Sequence, residues 1–250
     1  MTQFAASKDG IRIAWEVEGE GKPIVLVHGF ASSREQNWRA PGWIQRLTGA
    51  DFRVVSFDCR GHGESDKPHD PSAYGEHMID DILAVMDASG TARADIMGYS
   101  MGGIMTIRFL MQYPGRVRRA VVAGIGENYF VQQQDWRSAL AAAMLIEDPA
   151  AIADRVARRF RLFGGQKGKD RVALAACMGS PQYKYVPANL AGSHCPVLIV
   201  CGEKDDMTGA PGPLAACFAD GRAVVLPGKD HMSAVGDKNY KDAVIAFLNE

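Results

Sequence analysis

Gly98-Tyr99-Ser100-Met101-Gly102, followed at once by Gly103, is the stretch whose reading decides the fold. Ahead of it, the short apolar run Ala94 to Met97 reads as a buried strand. Behind it, Ile104, Ile107, Leu110 and Met111 recur at helical spacing until Pro114 ends the pattern. Ser100 therefore stands on a strand-to-helix turn. In the G-x-S-x-G pattern such a serine adopts a strained backbone and holds its hydroxyl up at the top of a sheet. The flanking glycines are required because a Cβ there would strike the neighbouring strand or helix backbone. The helix that follows brings free N–H groups and the positive end of its dipole beside the hydroxyl, where developing negative charge can be received.

Working outward toward the N-terminus, residues Phe4 to Glu18 alternate around a turn at Lys8-Asp9-Gly10, with Ile11, Ile13, Trp15 and Val17 on one face. This predicts an antiparallel hairpin. Pro23 to Val27 is apolar on both faces, as a central strand is, and ends in His28-Gly29-Phe30. A helix is expected from Trp38 to Leu47, a buried strand from Arg53 to Phe57, and a glycine-rich loop from Asp58 to Ser65. Met78 to Met86 has helical spacing closed by Gly90, and Arg119 to Ala123 is a further strand. Strands and helices in alternation imply a parallel sheet covered on both faces, and such sheets place ligands at the carboxyl ends of their strands. The loops at His28 to Phe30, at Asp58 to Ser65 and at Ser100 should therefore converge.

Toward the C-terminus the strand rhythm stops. Residues 127–191 read as helices, Trp136 to Ile146, Ala150 to Phe163 and Arg171 to Met178, and are expected to form a cap over the site. Strands return at Pro196 to Cys201 and Ala223 to Leu226, with a short helix near Pro213 to Phe218 and a last one from Tyr240 to Leu248. The fold class expected is α/β: a mostly parallel, doubly wound sheet of about eight strands. Residues 1–126 and 192–250 form its core, and the helical cap is inserted between them.

A serine hydroxyl needs a base to take its proton, and the base needs an acid to hold its tautomer. Downstream of Ser100 the bases are His194, at the start of a strand, and His231, in a loop after a strand. His231 leaves the same sheet edge as Ser100 and is the candidate. Asp205 and Asp206 directly follow the strand ending at Cys201 and are the candidate acids. The order serine, aspartate, histidine is that of the α/β-hydrolases.

With these motifs in place the chain resembles the α/β-hydrolase fold family over its whole length except the cap. The resemblance favours Asp205 over Asp206, because Gly202 stands three residues ahead of it. It implies that the backbone N–H groups of Phe30 and Met101 form an oxyanion hole, and that the Asp58 to Ser65 loop braces its neighbours rather than reacting. It implies a serine hydrolase of carboxylesterase type acting on a small-molecule ester or acyl compound, with no cofactor and no metal. Substrate contacts are expected from His28, Gly29, Tyr99, Trp136, Phe160 and Met232. A carbon–carbon bond hydrolase, a cofactor-free haloperoxidase or perhydrolase, and a non-catalytic ligand receptor share the same motifs. Dehalogenases and epoxide hydrolases do not fit, since their nucleophile is an aspartate.

Composition agrees with a globular enzyme. Of the 250 residues 47% are hydrophobic and 23% charged, and the net charge of -1 leaves no basic footprint for nucleic acid. The polar N-terminus and the lack of an apolar run of about 20 residues predict neither signal peptide nor membrane span. The five scattered cysteines suit free thiols in a reducing cytoplasm. Arg155, Arg158, Arg159 and Arg161 make a basic run in the expected cap, read as a solvated face. Nothing in the sequence assigns an oligomeric state.

Overall fold

The apolar runs that precede the glycine-rich loops pair into one eight-stranded sheet in the computed structural model, which describes residues 1–131, 134–181 and 185–250. The strands are β1 (Gln3–Ala6), β2 (Arg12–Glu18), β3 (Lys22–Val27), β4 (Phe52–Phe57), β5 (Ala94–Tyr99), β6 (Val117–Ala123), β7 (Val197–Gly202) and β8 (Gly221–Leu226). Their order is β1-β2-β4-β3-β5-β6-β7-β8, with β1 and β2 antiparallel and the rest parallel. The carboxyl ends of β3 to β8 thus share one edge. Strands β3 and β5 lie at the centre, and Ile24, Val25, Leu26, Val27 and Ile96 are each fully buried, which is why these strands read as apolar on both faces.

Helices cover both faces. Helices α1 (Trp43–Thr48) and α9 (Lys238–Leu248) pack with Trp38, Trp43 and Tyr240 on one face. On the other lie α2 (His77–Ala88), α3 (Met101–Gln112) and the short α8 (Pro211–Ala215). Between β6 and β7 come α4 (Gln134–Leu145), α5 (Arg155–Gly164), α6 (Arg171–Gly179) and α7 (Pro187–Leu190). Helix α4 packs on both α5 and α6. Residues 132–133 and 182–184 of the expected cap lie outside the described residues. No helix among the described residues is long and apolar enough to cross a membrane.

Two expected helices are shorter than their spacing suggests. The segment read as one helix from Trp38 to Leu47 is a π-helical turn at Glu35–Arg39 followed by α1. Pro41 has no N–H to donate and Gly42 adopts a φ of 80°, so the helix breaks between them. The segment expected from Ala150 begins at Arg155, because the Asp154 carboxylate accepts a hydrogen bond from the Ala157 N–H and caps the helix there. Pro149–Ala151 forms its own 3-10 turn under Asp148.

Candidate active site

Among the described residues Ser100 is one of three non-glycine residues with positive φ, at φ 55° and ψ −115°, and its own N–H is tied to the Ala123 carbonyl at 2.7 Å. That backbone lifts the side chain off the end of β5 toward the loops beyond β7 and β8. A Cβ on Gly202 would stand 2.2 Å from the Lys229 carbonyl oxygen, so glycine at that position is what lets the two loops approach. Asp205 and His231 are carried in by them. Nδ1 of His231 lies 2.7 Å from Oδ2 of Asp205, and Nε2 lies 3.0 Å from Oγ of Ser100. Asp205 is buried and also accepts from the Met207 N–H at 3.2 Å. Asp206 is exposed, and it is Asp205 that meets the imidazole. His194 is exposed at the opposite edge, ahead of β7.

Phe30 follows β3 beside the serine. A Cβ on Gly29 would lie 3.3 Å from the Tyr99 carbonyl and 3.5 Å from the Ser100 Cβ, which brings the His28-Gly29-Phe30 backbone against the turn. Neither the Phe30 nor the Met101 amide donates to a protein acceptor among the described residues, whereas those of Gly29 and Ala31 are taken by Asn37 and His62. Two free N–H groups therefore flank Ser100.

Behind this loop stand two buried histidines. His28 Nε2 accepts from the Cys59 N–H and its Nδ1 donates to the Gly29 carbonyl. His62 Nε2 accepts from the Ala31 N–H and its Nδ1 donates to the Arg60 carbonyl. Asp58 accepts from the N–H groups of Arg34 and Glu64 and from the Arg34 guanidinium. The Asp58 to Ser65 loop is thus a brace for residues 28–34. Burial pushes His28 from 6.5 down to about 4 and His62, with His28 beside it, down to about 3. Both stay neutral when folded while the unfolded chain takes up protons near 6.5. Stability should accordingly be full above pH 6.5 and fall as pH drops toward 4, by roughly a few kcal/mol in total. Urea unfolding at pH 7.5, 6 and 5 measures this. The loss above pH 5 precedes carboxylate protonation, and an unchanged midpoint would contradict it.

The row of three side chains opens into a cavity of about 540 Å³, lined among others by Phe30, Ser100, Met101, Ile104, Trp136, Phe160, Met178 and His231. Trp136 and Phe30 flank Phe160 at ring-centroid distances of 6.1 and 6.0 Å, making one aromatic wall. Met232 lines a second cavity of about 290 Å³, on the far side of His231. Three residues expected at the substrate are placed elsewhere. His28 is wholly buried, Gly29 contributes only backbone behind the serine, and Tyr99 is buried with its hydroxyl donating to the His231 carbonyl at 2.6 Å. They hold the loops rather than line the cavity.

Several lining residues went unread in the sequence, among them Asn128, Tyr129, Arg137 and Thr208. For Arg137 a signal existed: it stands at i, i+3 and i+7 with Leu140 and Met144, both fully buried, so helical spacing puts it on the inner face of α4. The basic run of α5 does not reach the cavity as a group. Arg158 and Arg161 donate to the carbonyls of Ile152, Ile146 and Glu147, and Arg159 faces the second cavity. Among the described residues no group of three or more His, Cys, Asp or Glu side chains is arranged to hold a metal ion.

Comparison with known proteins follows the same lines. Residues 22–154 match the model of a family described as alpha/beta hydrolase fold. A solved structure of a hydrolase from Pseudomonas aeruginosa PA01 superposes with a TM-score of 0.83 at 28% identity, covering 100% of this chain and 98% of its own. The enol-lactonase from Burkholderia xenovorans LB400 superposes with a TM-score of 0.76 at 26% identity, covering 99% and 100%. The serine hydrolase BPHL of Homo sapiens is 26% identical over 83% of this chain and 72% of its own length.

Proposed function

The chain belongs to the alpha/beta hydrolase fold family, and from that premise we propose that it is a serine hydrolase cleaving a small carboxylic ester, lactone or related acyl compound. The observation that carries the reading is the hydrogen-bonded row from Asp205 through His231 to Ser100, at 2.7 and 3.0 Å, facing a cavity large enough for a small ester. Similarity to a protein named as an enol-lactonase and to one named as a serine hydrolase supports it.

Each step uses groups of the chain and water. Ser100 Oγ attacks the acyl carbon while His231 Nε2 takes its proton. Asp205 accepts from Nδ1–H, which keeps Nε2 free as the base and stabilises the imidazolium. The Phe30 and Met101 amides receive the oxyanion, each such donor being worth roughly 3 kcal/mol of barrier in comparable sites. His231 then protonates the leaving alcohol, and the same histidine activates the water that hydrolyses the acyl-enzyme. Tyr99, donating to the His231 carbonyl, fixes the loop that carries the base. Helices α4 to α6 act as the cap that encloses the acyl group, with Trp136 and Phe160 as its aromatic wall.

A series of p-nitrophenyl esters of increasing acyl length tests the reading. Turnover is expected for short acyl chains and to decline once the chain outgrows the cavity. Covalent labelling of Ser100 without turnover of any ester would instead identify a ligand receptor.

A further inference from the structure

Arg137 and Arg108 are 8% and 3% exposed, and both line a recess of about 20 Å³ that shares Met101, Ile104, Arg137 and Met178 with the main cavity. The recess holds about one small polar group. The buried Arg108 is paired through one terminal nitrogen with the exposed Glu76. Arg137 has no carboxylate partner among the described residues. Its Nη2 donates to the Cys177 and Ser180 carbonyls at 3.1 and 3.2 Å, and its Nη1 touches the Met178 sulfur. Its Nε, and that of Arg108, are buried without any hydrogen-bond partner. Burial, and the like charge of Arg108, push Arg137 below the ordinary arginine range, which marks an uncompensated charge.

A structural tie to the end of α6 accounts for the two carbonyl bonds. It leaves the charge and the Nε donor unanswered, and a buried charge is costly unless an opposite charge meets it. The other charged groups at the cavity, Asp135 and Asp206, are both exposed at its rim, where water screens them, whereas Arg137 acts from a dry wall. We propose that the two-arginine recess receives a carboxylate carried by the substrate at the end remote from the scissile bond, so that the enzyme's substrates are esters or lactones of dicarboxylic acids. Arginine suits this because the Nε–H of each, still without an acceptor, is left to donate to a carboxylate. The proposal rests on Ser100 as the nucleophile.

The test compares mono-p-nitrophenyl glutarate with the neutral p-nitrophenyl pentanoate. The wild-type enzyme should prefer the anionic ester by at least tenfold in kcat/KM, and free glutarate should inhibit competitively where glutaramide does not. In Arg137→Gln the preference should fall at least tenfold, mainly through KM, and Arg137→Lys should restore part of it. Because the wild-type comparison needs no variant, a poorly folding Arg137→Gln leaves the test intact. Equal turnover of the two esters would overturn the anion site while leaving the serine hydrolase reading standing, and no turnover of either would strike that reading itself. Chloride binding that raises thermal stability, without competition by glutarate, would mean a loose inorganic ion and would also overturn the proposal.

Discussion

Ser100→Ala is expected to lower kcat on short p-nitrophenyl esters by a factor on the order of 10⁵ with the fold intact, since removing the nucleophile disables the triad as a unit. Alanine keeps the Cβ, so the strained φ of 55° persists and the melting temperature should stay close to wild type. Ser100→Gly makes the complementary point. It should be equally inactive and about 1 kcal/mol more stable, because only a Cβ makes that backbone conformation expensive. Kinetics and thermal unfolding of the two variants, measured side by side, separate loss of chemistry from loss of structure. Residual hydrolysis within tenfold of wild type in Ser100→Ala would remove the serine from the mechanism.

Gly102→Ala should prevent folding altogether. An added Cβ would stand 2.0 Å from the Val27 carbonyl oxygen and 2.8 Å from that of His28. Neither can retreat: β3 is paired with β4 on one side and β5 on the other, and His28 begins the loop that carries Phe30. The overlap exceeds the usual 1 to 3 kcal/mol of overpacking and should cost roughly 5 kcal/mol or more, comparable to the entire stability of many domains. Gly103→Ala, whose nearest contacts are 3.1 to 3.4 Å, provides the contrast and should fold with a modest loss. Soluble yield and circular dichroism decide the matter. A Gly102→Ala protein that is soluble and melts with the wild type would show that the turn is not as tight as described.

Much of the fold was legible because its signals are local. Buried parallel strands read as unbroken apolar runs, and the glycines at 98 and 102 mark a turn that admits no side chain. The chain order of Ser100, Asp205 and His231 could be read because each follows a strand whose carboxyl end lies on the same edge. The break at Pro41-Gly42 is written in the residues but masked by the helical spacing on either side of it. What the sequence hid was orientation. His28 and Tyr99 sit beside the serine in the chain or in space, yet their hydrogen bonds to the Cys59 N–H and the His231 carbonyl turn them away from the cavity. The basic run of α5 is conspicuous in the sequence by its density, yet among the described residues Arg137, a single charge on the buried side of α4, is the arginine that lines the main cavity. Which arginine faces inward is set by how α4 packs on α6, a tertiary matter.

The most direct test of the central claim is mass spectrometry after reaction with a fluorophosphonate, with peptide mapping of the adduct and comparison with a His231→Ala variant. The account predicts one adduct per chain, located on Ser100, formed at least a hundredfold more slowly when His231 is removed. An adduct on any other residue, or labelling of Ser100 at the same rate without the imidazole, would contradict it.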